Sequence, residues 1–379
     1  MASTQKAAGS KARRTGKGKA KGKGTWKRVL LGFAVLVALL MIPAGMALWS
    51  MRKIVQPYKG YAEAERVVAI EPGMGAGQIL DRLQQEGVLA DSKLARTYLI
   101  YRMGDPPMQA GSYRFRGPLT TPQVLRMLVR GQVMTRSATL IEGLTLEEAA
   151  TQLAQQGFGE RDAFLEVMRS PELIADLDPE AQDLEGYLFP ETYSFAERTS
   201  EREIVETLVR TFRKRYEKNV KSHVRAGVSL RQVVTLASIV EKEAQVASER
   251  PVIAAVYRNR LDQGIGLGAD PTVIFALKRA GRWNGNIRRA DLQIDSPYNT
   301  YRYAGLPPGP ICSPGLASLE AAAQPSDVPY LYFVSRNDGT HVFAKTLGEH
   351  NRNVNQWQRR FWRERRAGER ATGRESGGQ

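Results

Sequence analysis

Apolar and polar positions follow a helical period over residues 229–247, SLRQVVTLASIVEKEAQVA, and the rest of the chain is read around that stretch. Ser229 followed three residues later by Gln232 has the form of a capping box, and Val233, Leu236, Ala237, Val240, Ala244 and Ala247 fall on one face. Glu243 lies at the edge of that stripe. At roughly 100° per residue it sits about 50° from the centre of the larger apolar residues, against about 110° for Glu241. Counting the alanines narrows the contrast to roughly 70° against 90°, so helical phase favours Glu243 only modestly. A carboxylate there must be hydrogen-bonded, paired or neutral, because an ionised, unpaired one loses too much hydration. The competing reading is a helix-edge residue whose stem packs while its head reaches water or an arginine.

Earlier in the chain, residues 67–70 read as a strand, EPGMGAGQILDRLQQEGV as a turn and an amphipathic helix, 92–103 as a second helix and 112–115 as another short strand. This small α+β unit is followed by a helix over 121–133 that closes it or leads onward. Near Thr139 the pattern restarts. LIEGLTLEEAATQLAQQGF echoes IEPGMGAGQILDRLQQEGV, with Thr145 and Glu148 forming another capping box, so the same strand-turn-helix unit opens the next domain. Residues 162–169, 175–178 and 201–217 are expected to be helical. Between the last two, LEGYLFPETYSF (184–195) reads as an aromatic and acidic loop. Its Tyr187, Phe189, Tyr193 and Phe195 serve either as core or as a groove wall that stacks on flat rings such as sugars.

After residue 247, Ser248 caps a second helix with Pro251 in its first turn, running through VIAAVYRNRLDQ and stopped by Gly264. GLGADPTVIFAL, SPYNTYRYAGLPPGPICSPG and PYLYFVSRNDGTHVF then read as turns, short β segments and polar loops, with a hairpin of 330–335 and 341–344 across 337–339. The chain from Leu347 is expected to be helical. Loops of this composition on a rigid scaffold carry binding residues, and Tyr298, Asn299, Thr300 and Tyr301 are the candidate polar contacts. Alternatively, Asn299 and Thr300 satisfy their own turn.

Charge changes the picture only at the ends. Of a formal net +16 over 379 residues, residues 1–28 contribute ten Lys or Arg and no acid, and 357–379 contribute seven Arg against three Glu. The remaining 38 basic and 36 acidic residues leave the body close to neutral, which argues against a nucleic-acid-binding face. Residues 1–28 read as a disordered basic tail and 357–379 as a basic, frayed one. Residues 29–49 carry no charge and are long enough to cross a hydrocarbon core of about 30 Å, with Trp26 and Trp49 at the two interfaces. The density of Lys and Arg before this run places the N-terminus in the cytoplasm and the rest of the chain outside. A cleaved signal peptide competes, with Ala44 and Ala47 as small residues, but the apolar run exceeds a usual h-region. Pro43 is compatible with insertion.

Chemistry is bounded next. One cysteine, Cys312, excludes an intramolecular disulfide framework, and with three histidines neither a multi-cysteine nor a histidine-rich metal site is expected. No Gly-rich phosphate loop and no GxSxG elbow is present. A mechanism without metal or cofactor is the expectation.

With ASIVEKEA, ERPVIAAVYRNRL, ADPTVIFAL, SPYNTY, GLPPGPI, SPG and PYLYFV in this order, the chain resembles the membrane-bound endolytic murein transglycosylases of bacteria, over about residues 27–355. The resemblance implies an α+β fold with a single N-terminal transmembrane helix (29–49), a small LysM-like α+β domain (66–135) and a larger α+β catalytic domain (138–356). It implies cleavage of the MurNAc-GlcNAc β-1,4 bond inside nascent glycan strands, leaving a 1,6-anhydro-MurNAc end, by a protein held in the inner membrane with peptidoglycan synthases as partners. The catalytic residue corresponds to the second Glu of EKE, Glu243. Asp270, Thr272, Tyr298, Asn299, Thr300 and Tyr301 are the expected substrate contacts. Many soluble lytic transglycosylases have a Ser after the catalytic Glu; here Ala244 follows, so no helper hydroxyl is expected. Two rivals stay open: a muramidase-type hydrolase with Asp270 or Asp295 as a second carboxylate, and a non-catalytic wall-binding scaffold of the synthesis machinery.

Overall fold

In a computed structural model the apolar run becomes one unbroken helix, α1 (Lys23–Val55), which continues through Pro43. The structure describes residues 23–360 and residue 363; most of both basic tails lies outside the described residues. Thirty-three residues of helix span about 50 Å, enough to cross a membrane. Between Trp26 and Val55 the large apolar side chains of α1 stand exposed, and only near its end does Ile54 become buried. There Lys53 reaches Asp91 at 3.2 Å.

The chain divides into two compact units, one ending at Val133 and one beginning at Met134. The first contains β1 (Glu65–Ile70), α2 (Ala76–Gln85), α3 (Ser92–Met103), β2 (Gly111–Arg116) and α4 (Thr121–Val129). β1 and β2 pair antiparallel, Glu65 opposite Arg116 and Ile70 opposite Gly111. One face of this hairpin and the helices bury Val68, Leu80, Leu83, Leu99, Phe115 and Leu125. Capping fixes the helix starts. Asp91 accepts from the backbone of Lys93 and Leu94, and Thr120 and Gln123 form a reciprocal box.

The second unit opens with the same device: β3 (Thr135–Thr139), α5 (Leu146–Gln155), α6 (Arg161–Met168) and β4 (Thr192–Ala196), with β3 and β4 antiparallel. The echo seen in the sequence as strand, turn and helix is therefore a complete βααβ repeat. β4 comes from the stretch read as a loop, and Tyr187, Phe189, Tyr193 and Phe195 are all buried in the main core, which rules out the groove wall. Residues 175–178 form turns instead of the expected helix. Asp178 ends them and is buried, accepting from the Tyr187 hydroxyl and from Arg231 at 2.7 Å.

The remainder is α7 (Glu201–Asn219), α8 (Leu230–Glu243), α9 (Arg250–Asp262), α10 (Asp270–Arg279), α11 (Leu316–Ala323), β5 (Tyr332–Ser335), β6 (His341–Ala344) and α12 (Leu347–Val354). α8 starts on the expected Ser229–Gln232 box but ends at Glu243, earlier than its apolar period runs, because Ala244 turns extended. A single 3₁₀ turn, Ala247–Glu249, then leads into α9, so Glu249 and not Ser248 precedes that helix. α10 is a helix where turns and short β segments were expected, and α11 falls in a stretch for which no element was expected. The β-branched run of DPTVIFAL misleads because α10 buries Thr272, Val273, Phe275, Ala276 and Leu277, most of its circumference, and so shows no one-sided stripe.

α8 is the most enclosed of these elements, with Val233 through Val240 all buried and α9, α10 and α11 packed against it. The loop before α11 is laced to it: Ser238 Oγ accepts from the Ile311 N–H, and the fully buried Cys312 thiol meets the Ser238 carbonyl at 3.3 Å.

Gly186, the third residue of LEGYLFP, has φ +86°, and a Cβ there would stand 2.4 Å from Pro310 Cβ and 3.0 Å from Val234 Cγ1. Gly186→Ala should therefore cost on the order of 2–4 kcal/mol. Gly117→Ala, at φ +68° with nothing within 4 Å, should cost roughly 1 kcal/mol. Denaturant midpoints of the two variants test the difference, and equal losses would remove the steric account.

Candidate active site

The two carboxylates of EKE are treated differently by their surroundings. Residues two apart on a helix point to nearly opposite sides, so Glu241 and Glu243 meet different partners. Glu241, with only 7 % of its side chain exposed, lies 3.3 Å from Arg250 and accepts from the Gly315 N–H at 3.0 Å, at the start of α11. It is a matched structural anion. Glu243, half-buried at the last turn of α8, has no cation within ion-pairing distance among the described residues; Oε1 accepts from the Tyr257 hydroxyl at 3.0 Å. Removal from water pushes its carboxyl up to about 7, a shift opposed by the Tyr257 hydrogen bond, reinforced by the Asp270 charge and opposed by Arg260. The negative end of α8 acts in the same direction as burial.

Four side chains complete the cluster. Tyr257, on α9, is fully buried and held edge-on against Phe333 of β5 with ring centroids 5.8 Å apart. Burial and the neighbouring Glu243 hold its phenol well above the usual range, so it remains a donor. Arg260, one turn further, is spent on backbone: it donates to Leu331 O and Leu267 O, each at 2.7 Å, and lies over the Tyr332 ring. With the Asn259 amide, which donates to Val328 O and Tyr330 O, it fixes the approach to β5 and the loop before α10. Asp270, exposed at the first turn of α10, accepts from the Tyr301 hydroxyl at 2.6 Å.

Of the residues singled out in the sequence, Glu243, Asp270 and Tyr301 come together. Thr272, Asn299 and Thr300 lie beneath them with their polar atoms turned inward. Thr300 Oγ1 accepts from the Ala269 N–H and bonds Thr272 Oγ1 at 2.9 Å; the Asn299 amide donates to Leu292 O and Ile294 O and accepts from the Tyr301 N–H. They lock the loop to α10 and so aim Asp270 and Tyr301. Tyr298 stands elsewhere, against Phe275 and among Arg279, Asp183, Glu185 and Arg231. Asp295 is exposed, engaged by Tyr303 at 2.7 Å. Tyr257 and Arg260 were missed in the sequence. Their only signal was a polar run, YRNR, inside an otherwise apolar helix.

Two measurements follow. Tyr257→Phe removes a bond that favours the ionised form, so the Glu243 carboxyl should titrate at higher pH, read by carboxyl-labelled NMR; an unchanged or lower value would break the assignment. The folded pKa of Glu243 is raised above its ordinary 4.5, so the stability linked to it is complete below about 4.5 and lost as pH rises through about 7. Glu243→Gln should therefore be more stable than the parent at pH 8, by on the order of 1–3 kcal/mol after discounting partial exposure, with the gap closing toward pH 5.

Residues 68–356 match the YceG-like family. The endolytic murein transglycosylase of Bacillus subtilis is 32 % identical over 318 residues, covering 79 % of this chain and 87 % of that protein. The protein of the same name from Streptococcus pneumoniae is 28 % identical over 86 % of this chain, which matches 65 % of that longer protein. A crystal structure of a YceG-like protein from Listeria monocytogenes superimposes with TM-score 0.51 and 32 % identity, covering 77 % of this chain and 99 % of that one. The chain, matched over three quarters of its length, is a member of the YceG-like family.

Proposed function

We propose that this protein is an endolytic murein transglycosylase with Glu243 as its one catalytic acid and base. The observation that carries the reading is a carboxyl held near neutral pH by burial, with a phenol as its only hydrogen-bonded partner among the described residues, on a family whose curated relatives bear that name. Protonated Glu243 donates to the glycosidic oxygen as the bond to C1 breaks. The resulting carboxylate takes the proton from the C6 hydroxyl of the same MurNAc as that oxygen closes on C1. Intramolecular attack needs neither a bound water nor a covalent adduct, so one carboxylate suffices. Tyr257 holds Oε1, leaving Oε2 to carry the proton toward substrate.

Asp270 and Tyr301 stand at the mouth of the site as polar contacts for the sugar, positioned by Thr272, Asn299 and Thr300 beneath; Tyr298 lies on an adjoining cleft. The first βααβ unit is read as LysM-like and α1 as a single-pass anchor in the inner membrane, N-terminus cytoplasmic, with the unit from Met134 catalytic and acting on strands made by membrane synthases. A muramidase reading is favoured by one observation: Asp270 is close enough for its charge to raise Glu243, as a second carboxylate would be.

Glu243→Gln should lower strand cleavage by about 100- to 10,000-fold with the fold intact, and full retention would move the role elsewhere. Mass spectrometry of the products decides the outcome: anhydro ends weigh one water less than reducing ends, and reducing ends would mean hydrolysis. Binding of glycan with no product from either protein would leave a scaffold. Because the acid form is required, kcat/KM should fall as pH rises through about 7.

A further inference from the structure

α10 connects the Glu243 cluster to a second surface. Asp270 stands at its first turn, and Lys278 and Arg279 stand about 12 Å further along. Beside the helix runs a series of adjoining clefts. A small one lined by Lys242, Pro271, Ile274 and Lys278 begins next to the catalytic helix. It meets one of about 270 Å³ lined by Thr145, Gln182, Glu185, Lys278 and Arg279. This opens on one side into a cleft of about 510 Å³ with Gln152, Arg161 and Trp283, and on the other into one reaching Tyr298 and Arg231.

The chemistry of this groove is that of a peptide site, not a sugar platform. Sugar rings stack on open aromatic faces, but beside Glu185 the Phe275 and Tyr298 rings are covered by the Arg279 guanidinium, at 5.6 and 5.8 Å from their centroids, and Trp283 lies apart in the adjoining larger cleft. What the surface presents is a cation. Arg279 is half-exposed and only loosely held, 3.6 Å from Asp183. Below it, Glu185 is buried: Oε2 accepts from the Leu146 N–H at 3.2 Å, while Oε1 has no partner among the described residues. Burial pushes this carboxyl well above the usual range, which favours its hydrogen-bond-donating form. A planar cation beside a buried carboxyl with an unpartnered oxygen suits carboxylates and backbone amides.

We infer that this groove binds the peptide branch carried on the lactyl group of the MurNAc at the cleaved bond, with Arg279 taking a peptide carboxylate and Glu185 an amide carbonyl. The proposal rests on the transglycosylase reading. An extended branch of four or five residues spans up to about 17 Å, enough to run from Glu243 along α10. The groove thus makes the enzyme selective for strands that still bear peptides.

The test compares kcat/KM on uncrosslinked peptide-bearing strands and on the same strands stripped of peptide by an amidase. The parent protein should favour the peptide-bearing strands by about tenfold, the effect of one charge-assisted contact. Arg279→Ala and the isosteric Glu185→Gln should each bring the ratio toward one. Both substrates are read on one preparation, so loss of folded protein cancels in the ratio. A parent ratio near one, or variants that slow both substrates alike, would overturn the peptide site, the latter pointing to distal sugars or structure. No cleavage of either strand by the parent would instead overturn the transglycosylase reading beneath it.

Discussion

The ion pair of Glu241 and Arg250 is the joint on which the second unit depends. It ties the end of α8 to the start of α9, and through the Gly315 N–H and the Ser318 hydroxyl it ties both to α11. Removing one partner from such a buried pair leaves a charge without water or counter-ion, typically at a cost of about 3–5 kcal/mol. Because Arg250 and the α11 backbone satisfy Glu241, they are not available to Glu243 on the other side of the helix. The same geometry that anchors one carboxylate leaves the other without a counter-ion among the described residues, and burial then raises its pKa.

Legibility from sequence followed the range of the forces involved. Caps are local, and the Ser229–Gln232 and Thr145–Glu148 boxes start their helices with both reciprocal bonds present. The strand-turn-helix echo was likewise visible because each copy of the motif is only 19 residues long. α10 and β4 were not legible, since both are set by what packs around them: α10 is buried on most sides, and β4 needs β3, more than fifty residues away, to be a strand at all. The site divides the same way. Helical phase could lean toward Glu243, but nothing along the chain relates α8 to the phenol on α9 that touches it. For Asn299 and Thr300 two readings stayed open in the sequence, ligand contact or satisfaction of their own turn, and their side-chain bonds go to nearby backbone and to Thr272, because a loop with few regular hydrogen bonds must satisfy its own backbone first.

The βααβ repeat carries a related lesson about context. Both copies close two helices between an antiparallel strand pair, yet they end differently. In the first, β2 leads to α4 and the domain closes on its own core. In the second, the stretch before β4 lays Tyr187, Leu188 and Phe189 into the core shared with α7 and α8, so the copy becomes one wall of a larger body. Local sequence sets the unit; the residues leaving it decide whether it stands alone.

Cys312 gives this packing an internal reporter. It is the chain's single thiol, it is fully buried, and burial holds its proton far from the range in which thiols react. Any reagent that modifies it has met a molecule in which the loop before α11 has lifted off the Ser238 carbonyl. The rate of labelling under native conditions therefore measures how often the wall behind α8 opens, without a probe being introduced and without unfolding the rest.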